Sequence, residues 1–131
     1  MRDESRDAEV ILDVVFDRGL LFLVVENLGD RPALGVRIKF DQPFAGVGGT
    51  KQMERLALFR KLEFLAPHKP IEVFLDRSAS YFARKEPTRL TAAISWRTPD
   101  GARRSTTVNH DLEIYRDLGF IEREVPRAGQ A

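Results

Sequence analysis

Apolar and polar side chains alternate through residues 35–41, where Val36, Ile38 and Phe40 are separated by Arg37, Lys39 and Asp41. A strand sends successive side chains to opposite faces, so this segment has one greasy face and one charged face. A helix would scatter the same charges around its circumference. Upstream, residues 20–25 (LLFLVV) are continuously apolar and partly β-branched, the pattern of a strand covered on both faces. Between the two, Asn27, Gly29 and Asp30 suit turn conformations, and Pro32 fixes its own φ without offering an N–H. One strand therefore ends near Asn27 and the next begins after Ala33.

The same logic extends in both directions. Residues 9–16 predict a strand with Val10, Leu12, Val14 and Phe16 on one face, joined through the Gly-containing link 17–19 to residues 20–25. Residues 42–51 (QPFAGVGGTK) read as a loop from Pro43, Gly46, Gly48 and Gly49. Residues 52–61 hold helix formers, with Leu56, Phe59 and Arg60 near helical spacing, and accommodate one short helical turn before a strand centred on 62–65. Pro67 and Pro70 bracket a turn over 66–70 that cannot join a ladder at either proline. A strand over 71–75 places Ile71, Val73 and Leu75 on one face. The crossover 76–88 has room for a short helix capped by Ser78 or Ser80 and stopped before Pro87. Residues 89–96 align Leu90, Ala92, Ile94 and Trp96, and Thr98-Pro99-Asp100-Gly101 is a hairpin turn. The strand that follows, 104–114, aligns Val108, His110, Leu112 and Ile114.

This makes about seven short strands with turn signals between them and no strongly periodic long helix, which predicts an all-β fold, an antiparallel immunoglobulin-like β-sandwich. A parallel α/β fold needs amphipathic crossover helices that the chain does not offer. Residues 9–121 are expected to form a single domain, with polar segments 1–8 and 122–131 disordered on either side.

Composition narrows the function. Hydrophobic residues make up 43% of the 131 residues, enough for a packed core. The 21 basic and 20 acidic residues nearly balance, which argues against a domain devoted to gripping nucleic acid. With no cysteine, disulfides, thiolate catalysis and Cys-based zinc sites are excluded. The N-terminal segment carries no apolar signal-peptide core, and no apolar run approaches the roughly 20 residues that span a bilayer. A cytoplasmic location is the expectation if the chain is full length.

Val25-Glu26-Asn27-Leu28-Gly29, followed by Ala33 and by Val36-Arg37-Ile38, resembles the V-x-N-x-G-x-x-x-A-x-x-V-x-V pattern of CARDB-like and related bacterial immunoglobulin-like domains. The segment Leu65-Ala66-Pro67-His68-Lys69-Pro70 is similar to their L-x-P-G turn, with His68 where that turn has glycine. The resemblance implies an adhesion, spacer or protein-contact role and brings no catalytic residues with it.

The chemistry-bearing groups support a binding module better than an enzyme. Residues 46–51 (GVGGTK) fail the Walker requirement, because Lys51 follows Thr50 instead of preceding it and no Gly-Lys-Ser/Thr occurs. His68 and His110 are not at a metal-ligand spacing, and no G-x-S-x-G marks a nucleophile. No catalytic residue, cofactor site or metal site is therefore assigned. A small hydrolase or transferase site near residues 46–51 is the first alternative, with His68 or His110 gathered among carboxylates. Weak nucleic-acid binding through Arg97, Arg103 and Arg104 around the 98–101 hairpin is the second. A further basic cluster, Lys51, Arg55, Arg60 and Lys61, reads as a solvated surface. The aromatics Phe22, Phe74, Tyr115 and Phe120 fall off the cleanest core stripes. Either Phe22 and Phe74 are core and the inward face of their strands is inverted, or they belong to a second covered surface that meets a protein partner or another copy of the chain.

Overall fold

Alternation becomes two facing antiparallel sheets in the computed structural model, which describes residues 6–118. The first sheet contains β1 (Val10–Asp17), β2 (Leu20–Asn27) and β7 (Pro70–Arg77), in the order β1-β2-β7. The second contains β3 (Ala33–Phe40), β6 (Leu62–Leu65), β8 (Arg89–Arg97) and β9 (Arg103–Asp111), in the order β6-β3-β8-β9. These are the strands and connections of an immunoglobulin-like sandwich, as the sequence pattern predicts.

Local chemistry sets the connections. Arg18 and Gly19 both take positive φ, 52° and 81°, the mirror-image two-residue turn whose twist matches the β1–β2 hairpin. The 98–101 turn closes through Thr98 N–H to the Ala102 carbonyl, with Gly101 at φ 93°. At residues 45–52 the expected loop contains a miniature hairpin, β4 (Ala45–Gly46) against β5 (Lys51–Gln52), because the glycines allow the chain to reverse within a few residues. Residues 53–60 hold two short turns, a 3-10 turn (Met53–Arg55) and α1 (Ala57–Arg60), which bury Met53 and Phe59.

The core stripes follow the predicted periodicity. Val36, Ile38 and Phe40 face Leu90, Ala92, Ile94 and Trp96 within the second sheet, and Val10, Leu12 and Val14 meet Leu21, Leu23 and Val25 within the first. Strand β2 thus resolves its two-sided apolarity: Leu21, Leu23 and Val25 are wholly buried, and Phe22 points outward. Phe22 and Phe74 are not core residues with an inverted face.

Three further expectations are corrected. Residues 6–8 are not a disordered lead-in: Asp30 N–H donates to the Arg6 carbonyl, Arg6 N–H to the Asp30 carboxylate, and Ala8 is buried. The helix α2 (Ser78–Ala83) begins at Ser78 itself, with Arg77 in the cap position, so neither serine caps it. The last strand ends at Asp111, whose carboxylate accepts from Glu113 N–H and starts a 3-10 turn (Leu112–Tyr115). The alternation therefore breaks after Leu112, and Ile114 is exposed. Segments 1–5 and 119–131, including Phe120 and the tail 122–131, lie outside the described residues.

The V-x-N-x-G segment is an architectural hub. The Asn27 side chain is fully buried; its Oδ1 accepts from Glu9 N–H (3.1 Å) and Gly29 N–H (2.9 Å), and its Nδ2 donates to the carbonyls of Arg31 (2.8 Å) and Leu65 (3.3 Å). A Cβ at Gly29 would lie 1.9 Å from the Asp7 carbonyl oxygen, so only glycine fits under the N-terminal segment. His68, in the place of the resembling turn's glycine, has φ 58°, and its ring lies 2.7 Å from the Asp30 carboxylate. The turn demands the left-handed conformation whatever residue occupies it.

Candidate functional site

The outer faces of the two sheets differ in charge and texture. On the three-stranded sheet, outward residues line up in rows across β1, β2 and β7: Asp13–Val24–Glu72, Val15–Phe22–Phe74 and Asp17–Leu20–Arg77. Phe22 and Phe74 meet edge to face, ring centroids 5.8 Å apart, and Phe74 is 36% exposed. Val24, in the row beside them, is buried, so the exposed part of this face centres on the two rings. It is an apolar ridge with Asp13, Asp17, Glu72 and Arg77 at its margins.

On the four-stranded sheet the rows across β3, β8 and β9 are Arg37–Ser95–Ser105 and Lys39–Ala93–Thr107, with Arg97 directly opposite Arg103. Small, exposed side chains run down the middle and cations stand at the sides. Two arginines opposed across a strand pair repel each other. Neither they nor Lys39 form an ion pair among the described residues; Arg37 reaches Glu63 at 3.6 Å. The structure brings Arg97 and Arg103 together but turns Arg104 to the other side of β9, where it lies 3.6 Å from Asp7.

Tyr115 is likewise separated from Phe22 and Phe74. Its ring stacks on Phe16 with centroids 6.1 Å apart, and its hydroxyl donates to the Val14 carbonyl at 3.2 Å. It belongs to a set of side chains that close the free edge of β1. His110 Nε2 binds the Leu12 carbonyl at 2.7 Å, and the Asp13 carboxylate accepts from Val14 N–H. A carbonyl can only accept, so His110 carries its proton on Nε2. Strand addition at β1 is thereby blocked. Tyr115→Phe should cost about 1 kcal/mol by loss of one hydrogen bond, measured by urea unfolding, and should increase association by baring the Val14 carbonyl.

The other free edge of the first sheet is closed by a buried polar network that alternation could not reveal. A bulge lies between Leu21 and Phe22, so that Leu21 pairs with Asp76 and Phe22 with Phe74. The extra residue turns Asp76 inward beside Leu75, and both are buried. Asp76 accepts from Gly48 N–H (3.1 Å) and from the Arg84 guanidinium (2.7 Å). Arg84 also donates to the Ala45 carbonyl, and Glu86 accepts from Ala45 N–H. Beside it, burial pushes the Tyr81 phenol well above its ordinary range, so the hydroxyl stays protonated and donates to the Pro87 carbonyl at 2.5 Å. These contacts occupy the 46–51 loop. Neither histidine joins this network: His68 lies on Asp30 and His110 on Leu12. Among the described residues no cluster of three or more His, Asp or Glu could hold a metal ion. No described helix is long and apolar enough to cross a membrane.

No curated protein and no solved structure matches this chain. A family model does match, over residues 1–116, which takes in every described strand and the network and faces above; the chain belongs to the family described as "Domain of unknown function (DUF8453)".

Proposed function

We propose that this domain is a non-catalytic protein-interaction module that docks through the outer face of its three-stranded sheet. The observation that carries the reading is the Phe22–Phe74 pair, held in edge-to-face contact on the outside of a sheet whose own core is already complete. The exposed part of Phe74 and of the half-buried Phe22 forgoes hydrophobic stabilisation that a partner would supply, and aromatics are enriched at interface centres. Three carboxylates, Asp13, Asp17 and Glu72, against the one cation Arg77 at the margins favour a partner with an apolar surface flanked by basic groups. Two copies meeting face to face would oppose their own acids, so the fitting partner is another protein, or the basic outer face of a second copy. The resemblance to CARDB-like domains points to the same kind of role.

Replacing Phe74 with a photo-crosslinking residue should give an adduct in the native host that the same residue at Ala79, exposed on α2, does not give. Phe22→Asp combined with Phe74→Asp should abolish association and leave the far-ultraviolet circular dichroism unchanged. A wild-type chain that sediments as a monomer at all concentrations, with identical adducts from positions 74 and 79, would reject the reading.

A further inference from the structure

The four-stranded sheet has a gap in its edge. Strand β6 pairs with β3 only as far as Val36, opposite Leu62, and the chain before it folds into α1 instead of continuing alongside. Along an antiparallel strand, backbone groups point alternately to the two neighbours. Asp41 N–H donates to the Thr91 carbonyl, which directs the odd-numbered residues of this half of β3 towards β8. Ile38 and Phe40 therefore aim their N–H and carbonyl groups the other way, along the line that β6 vacates. No backbone hydrogen bond from a described residue meets them there.

A groove of about 460 Å³ opens at that place, between residues 37–40 and residues 54–60. The Ile38 and Phe40 side chains are turned into the core, so the wall they offer is main chain. Arg37 and Lys39 stand on one side of the groove and Arg55 and Arg60 on the other. The one acid in its lining, Glu54, is already committed to Phe44 N–H and lies 3.7 Å from Arg55. Arg37 also lies 3.6 Å from Glu63, whereas Lys39 and Arg60 form no ion pair among the described residues, so in a chain with a formal net charge of +1 the unpaired strand-edge groups sit in a locally positive site.

We infer that this groove binds a short acidic stretch of an extended polypeptide, which pairs with the backbone of Ile38 and Phe40 while its carboxylates meet Arg37, Lys39, Arg55 and Arg60. Strand addition accounts for the unpaired edge and the basic rim accounts for the charge. Nucleic acid fits less well. The groove's aromatics, Phe40 and Phe59, are buried and offer no stacking surface, and the chain lacks a basic excess. The groove lies on the opposite sheet from Phe22 and Phe74 and does not depend on the docking face proposed above.

The test is fluorescence anisotropy with a fluorescein-labelled octaglutamate peptide at low salt. Wild type should bind saturably, and Arg55→Glu with Arg60→Glu should weaken binding about tenfold or more. Both arginines are exposed, and unchanged circular dichroism would show that the variant folds. Octaglutamate N-methylated at alternate residues keeps its charge but loses its strand donors, and should also bind about tenfold more weakly. Phe22→Asp with Phe74→Asp should bind the peptide as wild type does. Absence of saturable binding, affinity unaltered by the double reversal or by N-methylation, or tighter binding of a single-stranded oligonucleotide of equal charge would overturn the inference.

Discussion

Asn27→Ala should destabilise the domain by about 3–5 kcal/mol, a large part of the roughly 5–15 kcal/mol that holds a typical domain folded. The side chain makes four hydrogen bonds in a site sealed from water, to three separate pieces of backbone: Glu9, the 29–31 turn and Leu65. Truncation removes the acceptor that Glu9 N–H and Gly29 N–H use and the amide donor that the Arg31 and Leu65 carbonyls receive. The loss is therefore the desolvation cost of groups left unpaired, not only the modest net worth of the bonds. Asn27→Asp is the informative control. It preserves volume and the bonds to Oδ1, yet it aims a second oxygen at the carbonyls of Arg31 and Leu65. It should destabilise as severely as alanine. Urea unfolding measures both, and a cost below about 1 kcal/mol for Asn27→Ala would show that the hub does not hold the sheets together.

The second large effect is expected at the buried carboxylate. Asp76→Leu should cost about 2–4 kcal/mol, because it strands a partly buried Arg84 and leaves Gly48 N–H without its acceptor. Glu86, 3.6 Å from Arg84 Nε, retains part of the charge compensation, which keeps the figure below that of a fully isolated pair. The double variant Asp76→Leu with Arg84→Met should recover most of the loss, since an apolar pair of similar volume avoids desolvating two ions. If the double variant is as unstable as the sum of the single ones, the two residues do not act as a pair. The single variant should also free the 45–52 hairpin, where Val47 takes φ 52°, a strained conformation for a β-branched residue. Amide exchange at Gly48 should accelerate well before global unfolding.

The two sites differ in how far the amino-acid sequence betrays them. Asn27 announces itself within a turn pattern, between a β-branched run and a proline, though one of its four bonds reaches a chain segment 38 residues away at Leu65. The stripes Val36, Ile38, Phe40 and Leu90, Ala92, Ile94, Trp96 are legible because half-buried strands must alternate. Strand β2 is not legible on its own: LLFLVV has no polar face, and only pairing with Asp13 and Glu72 on either side shows that Val24 and Phe22 point outward. Asp76 is invisible because one inserted residue reverses the parity of its strand. The basic residues of 51–61 are readable as a cluster, but their juxtaposition with Arg37 and Lys39 comes from β6 stopping at Leu62, which no local pattern encodes. Tyr115 reads as a surface aromatic because its stacking partner, Phe16, is at the far end of the chain.

His110 and Tyr115 also join what the sheet diagram keeps apart. Strands β1 and β9 belong to different sheets and share no ladder, yet side chains from the end of β9 and the turn after it bond to the main chain of β1. One flank of the sandwich is consequently stitched by side chains, as in a barrel, while at the opposite flank the Asn27 amide of β2 reaches the Leu65 carbonyl of β6 and the chain itself turns from β6 into β7. The two layers are thus tied at both sides and should open as one cooperative unit.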